Sequence, residues 1–160
     1  MAKKKVFDPE EIHLINVGSF KSIIDVGFDV NELSEKFHAY HFCFAQKTAL
    51  NIKEGAARIR LNTTIVARDE KKIDLDAKCE FELEFHFFIE DFASYFTHKK
   101  DEVPQIDENL GFSMLAISYS TARGIIYSKT QGSVLSGIIL PVIDPKNLMN
   151  ESYEIMSAIG

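Results

Sequence analysis

The stretch Ala57-Arg-Ile-Arg-Leu-Asn-Thr-Thr-Ile-Val-Ala-Arg68, followed after a polar turn at Asp69-Glu-Lys-Lys72 by Asp74-Leu-Asp-Ala-Lys-Cys-Glu-Phe-Glu-Leu-Glu-Phe-His-Phe-Phe-Ile-Glu90, decides the fold. In the first half Ala57, Ile59, Leu61, Thr63, Ile65 and Ala67 alternate with Arg58, Arg60, Asn62, Thr64 and Arg68. In the second, Cys79, Phe81, Leu83, Phe85, Phe87 and Ile89 alternate with Glu80, Glu82, Glu84, His86 and Glu90. A period of two over eleven or more residues is a strand with one dry and one wet face. The polar turn makes the two runs a hairpin.

The same period extends toward the N-terminus. From His38 to Lys53 the residues Tyr40, Phe42, Phe44, Leu50 and Ile52 share one parity, and Gly55 supplies the turn into the next run. Earlier, Phe20, Ser22, Ile24, Val26, Phe28 and Val30 oppose Lys21, Asp25 and Asp29. Ile12 to Val17 extends this first strand, with a bend at Gly18. Asn31 to Lys36 breaks the period and reads as a loop or crossover. Four consecutive strands joined this way predict an antiparallel meander.

Beyond Glu90 the pattern changes. Asp91 to Glu108 is a polar connector broken by Pro104, with one helical turn around Phe92, Tyr95 and Phe96. Leu110, Met114, Ile117, Thr121 and Ile125 then recur at three and four, which predicts a helix over Asn109–Lys129. Met114, Ile117, Ser118, Thr121, Ala122 and Ile125 make it apolar or small on several sides, as expected of a helix buried by the sheet and by a partner chain. A Gly-rich loop follows at Thr130–Gly137. Asp144 and Pro145 then open a predicted last helix, as N-cap and first residue, with Leu148, Met149, Ser152, Ile155 and Met156 as its stripe. The expected fold class is α+β: a four-stranded antiparallel meander followed by two helices packed on one face, one domain over residues 1–160 with its core at about 12–150.

Composition bounds the function. The 160 residues include 24 acidic and 18 basic side chains, a net charge of -6, which argues against a nucleic-acid partner, since phosphate binding runs on Lys and Arg. Residues 69–108 hold 13 of the acidic and 5 of the basic side chains, so the acidity is local. Two cysteines, Cys43 and Cys79, are too few for a disulfide framework and fit a reducing cytoplasm. Lys3, Lys4 and Lys5 are not followed by an apolar run, and no window of about 18 apolar residues exists, so neither a signal peptide nor membrane insertion is expected.

Catalytic signatures are missing. No Gly-rich phosphate loop follows a strand, and Gly111-Phe-Ser113 lacks the second glycine of a nucleophile elbow. His38-x-x-His41-x-Cys43 is the one metal-like cluster. On a strand His41 and Cys43 share a face while His38 points away, so no metal site and no cofactor are expected. Glu80, Glu82 and Glu84 line one face at about 7 Å spacing; opposite Arg58, Arg60 and Arg68 they read as cross-strand ion pairs or as an acidic docking face, not as an acid–base pair. The odd-numbered Phe81, Phe85 and Phe87 read as core. Tyr40, Phe42, Phe44 and Phe88 are candidates for an apolar groove that takes extended chain. A non-enzyme is expected.

Several short motifs in this order resemble the SecB family of export chaperones, particularly its SecB-like branch. They are Cys79-Glu80-Phe81 on the fourth strand, Ala122-Arg123 in the long helix, Thr130-Gln131-Gly132 after it, and Leu140-Pro141-Val142-Ile143-Asp144 before the final element. Where the export chaperones carry Pro-Tyr before the Ala-Arg pair, this chain has Ser120-Thr121. The resemblance implies a homotetramer, a dimer of dimers with the long helices between two sheets. It implies an ATP-independent holdase for unfolded polypeptide clients, serving protein export through a SecA-type motor that docks at the acidic face, where Glu80 matches by motif. The alternative it implies is an interaction module dedicated to one partner, such as an antitoxin.

Overall fold

The computed structural model describes residues 5–27, 30–98, 100–150 and 152–157. Seven strands and two helices are present among them: β1 (Ile12–Val26), α1 (Val30–Lys36), β2 (Ala39–Asn51), β3 (Ala56–Arg68), β4 (Asp74–Ile89), β5 (Phe96–Thr97), β6 (Gln105–Ile106), α2 (Glu108–Thr130) and β7 (Ser152–Ser157). The main sheet is antiparallel throughout, in the order β1-β4-β3-β2-β7, and β5 and β6 form a separate two-stranded ladder.

The β3–β4 hairpin forms as its alternation dictates. Ile59 pairs with Phe85, Leu61 with Leu83 and Ile65 with Cys79, so the odd-numbered side chains of both strands face one way. Phe85 and Phe87 are fully buried there, with Ile59, Leu61 and Leu83 beside them. The turn is held by the Asp69 carboxylate, which accepts the backbone N–H groups of Lys71 at 2.8 Å and Ile73 at 2.9 Å. At the other end Gly55 has φ +66°, and a Cβ there would stand 2.9 Å from the carbonyl oxygen of Ile89, so the β2–β3 turn requires glycine.

Three expectations are corrected. The four long strands are not a simple meander: β2, β3 and β4 are, but β1 pairs with β4, from Ile12 opposite Ile89 to Val26 opposite Ala77. The chain therefore crosses from one edge of the long-strand array to the other through α1, a Greek-key arrangement. Asn31–Lys36 belongs to that helix, anchored by buried Leu33. The predicted last helix is instead a 3₁₀ turn, Pro145–Met149, capped by Asp144, followed by β7, a fifth strand paired with β2. Tyr153 and Ile155 of β7 join the dry face, half-buried against the core. Phe20 does not share the dry face of β1. Register irregularities at Leu14/Asn16 and Ser19/Lys21 flank Gly18, and the Phe20 ring lies 4.5 Å from the Arg60 guanidinium on the wet face. Phe28 lies outside the described residues.

Helix α2 closes the dry face over β3 and β4. It begins where the Asp107 carboxylate accepts the Asn109 N–H at 3.0 Å, and buries Leu110, Met114, Leu115, Tyr119, Ala122 and Ile126. Its buried hydroxyls are satisfied: Ser118 donates to the Met114 carbonyl at 2.8 Å and Thr130 to the Ile126 carbonyl at 2.8 Å. Replacing the fully buried Phe85 by alanine leaves a large cavity between sheet and helix. It is expected to cost about 3–5 kcal/mol, read as a shift of the urea midpoint, whereas Ile139→Ala at an exposed position is expected to stay within about 0.5 kcal/mol.

Candidate functional site

The two faces of the sheet divide the candidate residues. On the helix side Tyr40, Phe42 and Phe44 come from alternate positions of β2, and all three are buried, with Phe42 at 0% exposure. Phe44 meets Tyr119 of α2 edge-on at 5.5 Å between ring centroids, and Phe37 packs against Tyr40 at 4.7 Å. Phe88 is on the opposite face, 42% exposed and stacked on His13. The four aromatics expected to form one groove are thus split, and three of them are core.

The segment from Gln131 to Asp144 fills the space that the sequence reading left open as a groove. This strap inserts Leu135, Ile138 and Leu140, all buried. Three side chains bind its carbonyls: Tyr119 donates to Pro141 at 2.6 Å, the Arg123 guanidinium to Leu140 at 3.0 Å, and Tyr40 to Leu135 at 3.5 Å. Thr130 Oγ accepts the Ile138 N–H at 2.9 Å. Burial pushes the Tyr40 hydroxyl up to about 12, with the nearby Cys79 adding to the effect, and burial raises Tyr119 as well, so both remain protonated donors.

Three apolar side chains of the strap are exposed: Ile139 at 60%, Val142 at 83%, and Val134, with Met149 of the following 3₁₀ turn also open to solvent. These apolar residues are the surface that sequence reasoning missed. The signal was present in Ile138-Ile-Leu140, where a segment with alternate residues buried must show the others.

A second exposed apolar strip runs along the edge strand β1 and is split between its faces: Leu14 is in register with Phe87 on the helix side, Phe20 and Ile23 lie on the wet face, and Ile15 sits at a register irregularity. On α2, Met114, Ser118 and Ala122 are buried within the chain, while Ile117, Thr121 and Ile125 are only half-buried. The expected oligomer helix therefore divides into a face used by its own sheet and a flank left partly uncovered.

The acidic face is largely neutralised. Glu80 is bound by Lys21 and by Lys78, and Glu82 is 3.1 Å from Arg60. Glu84 is only 3% exposed, which removes it from any docking surface. Arg60 reaches it at 2.6 Å and His86 at 2.8 Å, with Arg58 at 3.8 Å. Burial alone raises the Glu84 carboxyl, but the hydrogen bonds from Arg60 and His86 and the guanidinium charges outweigh it, so it titrates below the ordinary carboxylate value. Arg68 pairs with Asp74 at 2.7 Å.

No family model matches the chain, and no curated protein matches it. Among solved structures, the Mycobacterium tuberculosis SecB-like chaperone Rv1957, in complex with a ChAD peptide from the Rv1956 HigA1 antitoxin, superposes with a TM-score of 0.57 at 14% identity, over 84% of this chain and 91% of that one. The two chains share a fold. At that identity the likeness concerns the sheet and the long helix, and it matches the fold that the ordered motifs implied.

Because the folded Glu84 and Glu80 carboxyls lie below their ordinary values, their stabilisation is complete above the unfolded value and is lost as pH falls through the folded one. Glu84→Gln is expected to flatten that acid limb in a series of urea midpoints against pH. Arg60→Ala, which leaves a buried carboxylate undercompensated, is expected to cost about 3 kcal/mol at neutral pH.

Proposed function

We propose that the chain holds non-native or extended polypeptide without ATP, in the manner of a SecB-like holdase. The observation that carries this reading is the shared fold with a SecB-like chaperone solved with a bound peptide. The apolar residues exposed by the strap, Ile139 and Val142 above all, support it, since an unfolded client offers short apolar segments that such a surface can cover. Holding requires no catalytic residue and no cofactor.

Assembly follows the same reasoning. A second copy seated against the exposed strip of β1 and the half-buried flank of α2 would cover Leu14, Ile117 and Ile125, and a dimer of such dimers gives a homotetramer. Several modest client sites on one particle then add through effective concentration. Both cysteines are free thiols, in keeping with a cytoplasmic place of work. Among the described residues no helix is long and apolar enough to cross a membrane.

Client holding, more than delivery to a SecA-type motor, is the role we assign. A motor docking at the outer face would meet Glu80 and Glu82 already paired with Lys21, Lys78 and Arg60, and Glu84 buried. A second reading, an interaction module dedicated to one partner such as an antitoxin, is favoured by the origin of the peptide in the structural neighbour.

The test is dilution of a chemically denatured client into increasing protein, with the particle mass read by light scattering in the same sample. Suppression of aggregation saturating near one client per four chains is expected, and Ile139→Asp with Val142→Asp is expected to raise the concentration for half-suppression about tenfold. An intact oligomer that suppresses nothing would refute the holdase reading and leave the dedicated partner.

A further inference from the structure

The open face of the sheet carries a second cluster, unrelated to the strap, where β2 meets β7. His41 and Cys43 are two residues apart on β2, so they project from the same face, and Glu154 stands directly opposite Cys43 in the β2–β7 register. His41 Nδ1 lies 3.5 Å from Cys43 Sγ, and His41 Nε2 lies 3.4 Å from Glu154 Oε2. One donor atom from each of the three residues falls within 4.8 Å of the other two.

We propose that His41, Cys43 and Glu154 bind a single zinc-class divalent ion, with water completing a tetrahedron. Zinc bonds of about 2.3 Å to thiolate sulfur and about 2.0–2.2 Å to imidazole nitrogen or carboxylate oxygen set neighbouring donors about 3.4–3.6 Å apart in that geometry. The histidine–cysteine pair already has this separation. A single ion takes one ring nitrogen, so with Nδ1 as the ligand Glu154 gives up its contact with Nε2; its side chain is 66% exposed and free to turn, from a strand whose backbone is already in place.

The donor chemistry selects the ion. One thiolate, one imidazole and one carboxylate form a borderline-soft set that suits zinc or cobalt(II), while calcium and magnesium take oxygen ligands only. The neighbouring cation does not compete for the ligands, because the Arg68 guanidinium is engaged by Asp74 at 2.7 Å. Burial and the Glu154 charge raise the Cys43 thiol above its ordinary value, so without metal it stays protonated and binding releases one proton.

The site also has a mechanical consequence. Among the described residues β7 lies at the edge of the sheet and pairs with β2, from Tyr40 opposite Ser157 to Ala45 opposite Ser152. A metal ligated from both strands ties this last strand to the sheet, and by linkage stabilises the state in which β7 is docked. His38, which the sequence spacing offered as the third ligand, precedes β2. The third ligand instead comes from a segment that reads as helix, more than a hundred positions away.

The experiment is a titration of the untagged, chelator-treated full chain with Co²⁺ alone, followed by competition with Zn²⁺. One Co²⁺ per chain is expected, with the intense visible bands of a tetrahedral site and a near-ultraviolet thiolate-to-cobalt charge-transfer band that Zn²⁺ abolishes. Cys43→Ser should remove the charge-transfer band. Glu154→Gln, an exposed change that leaves folding intact, should weaken uptake by at least about tenfold. Zn²⁺ should also slow amide hydrogen exchange over residues 152–157 in the unaltered chain. Absence of the band in the unaltered chain, its persistence in Cys43→Ser, or equal affinity in Glu154→Gln would each overturn the site.

Discussion

The register between β3 and β4 governs what the rest of the chain can do. With Leu61 opposite Leu83 and Arg60 opposite Glu84, every odd-numbered side chain of the hairpin faces the helix, and most even-numbered ones join an ionic lattice on the other side. A slip of one residue would exchange the two sets, sending Phe81, Phe85 and Phe87 into water and Glu80, Glu82 and Glu84 toward α2. Asp69 at one end and Gly55 at the other hold the strands in place, the first by accepting two backbone N–H groups, the second by taking a conformation in which its own carbonyl accepts the Ile89 N–H at 2.8 Å. β1 and β2 then add on either side of a sheet whose faces are already decided.

From that division the functional surfaces follow. The wet face is crowded with opposite charges, and its most buried carboxylate, Glu84, is held by two arginines and a histidine. Such a face stabilises the sheet and keeps its surface charge balanced, and it offers little excess charge to a partner. The dry face is closed by α2 over β3 and β4, by the strap bound to Tyr40 of β2, and over Phe44 by Tyr119 and Tyr153. Because Ile138 and Leu140 are inserted from an extended stretch of the strap, closing the core turns Ile139 outward; beyond Pro141 the alternation shifts by one, with Ile143 packed on the core and Val142 exposed. The apolar surface proposed to hold polypeptide is thus a by-product of the way the core is sealed.

The sequence made the hairpin, the long helix and the Asp144 cap legible, because each is written in a local period or a capping residue. What it could not supply was the order of strands. The alternation of β1 is the same whether it lies beside β2 or β4, and only the crossover through α1, whose sole buried anchor among the described side chains is Leu33, puts it at the far edge. The final segment failed for a different reason. Leu148, Met149, Ser152, Ile155 and Met156 satisfy a helical spacing, while Tyr153 and Ile155 against Glu154 and Met156 satisfy a strand; six residues are too few for period alone to arbitrate, and an available edge on β2 decided it. That error hid Glu154 from the metal-like cluster. Tyr40, Phe42 and Phe44 were read as groove walls because the elements that cover them, the Gly-rich strap bound to Tyr40 and the strand β7 whose Tyr153 stacks on Phe44, do not announce their paths in a local period.

The central claim is that polypeptide is held on the apolar surface of the strap and not on the acidic outer face. Amide hydrogen exchange on the full chain, with and without a saturating unfolded client, tests it most directly. Protection concentrated over residues 134–142, with the amides around Glu80 and Glu82 unchanged, is the expected result. Protection confined to the outer face of β4, or none anywhere on an oligomer that still binds the client, would contradict it.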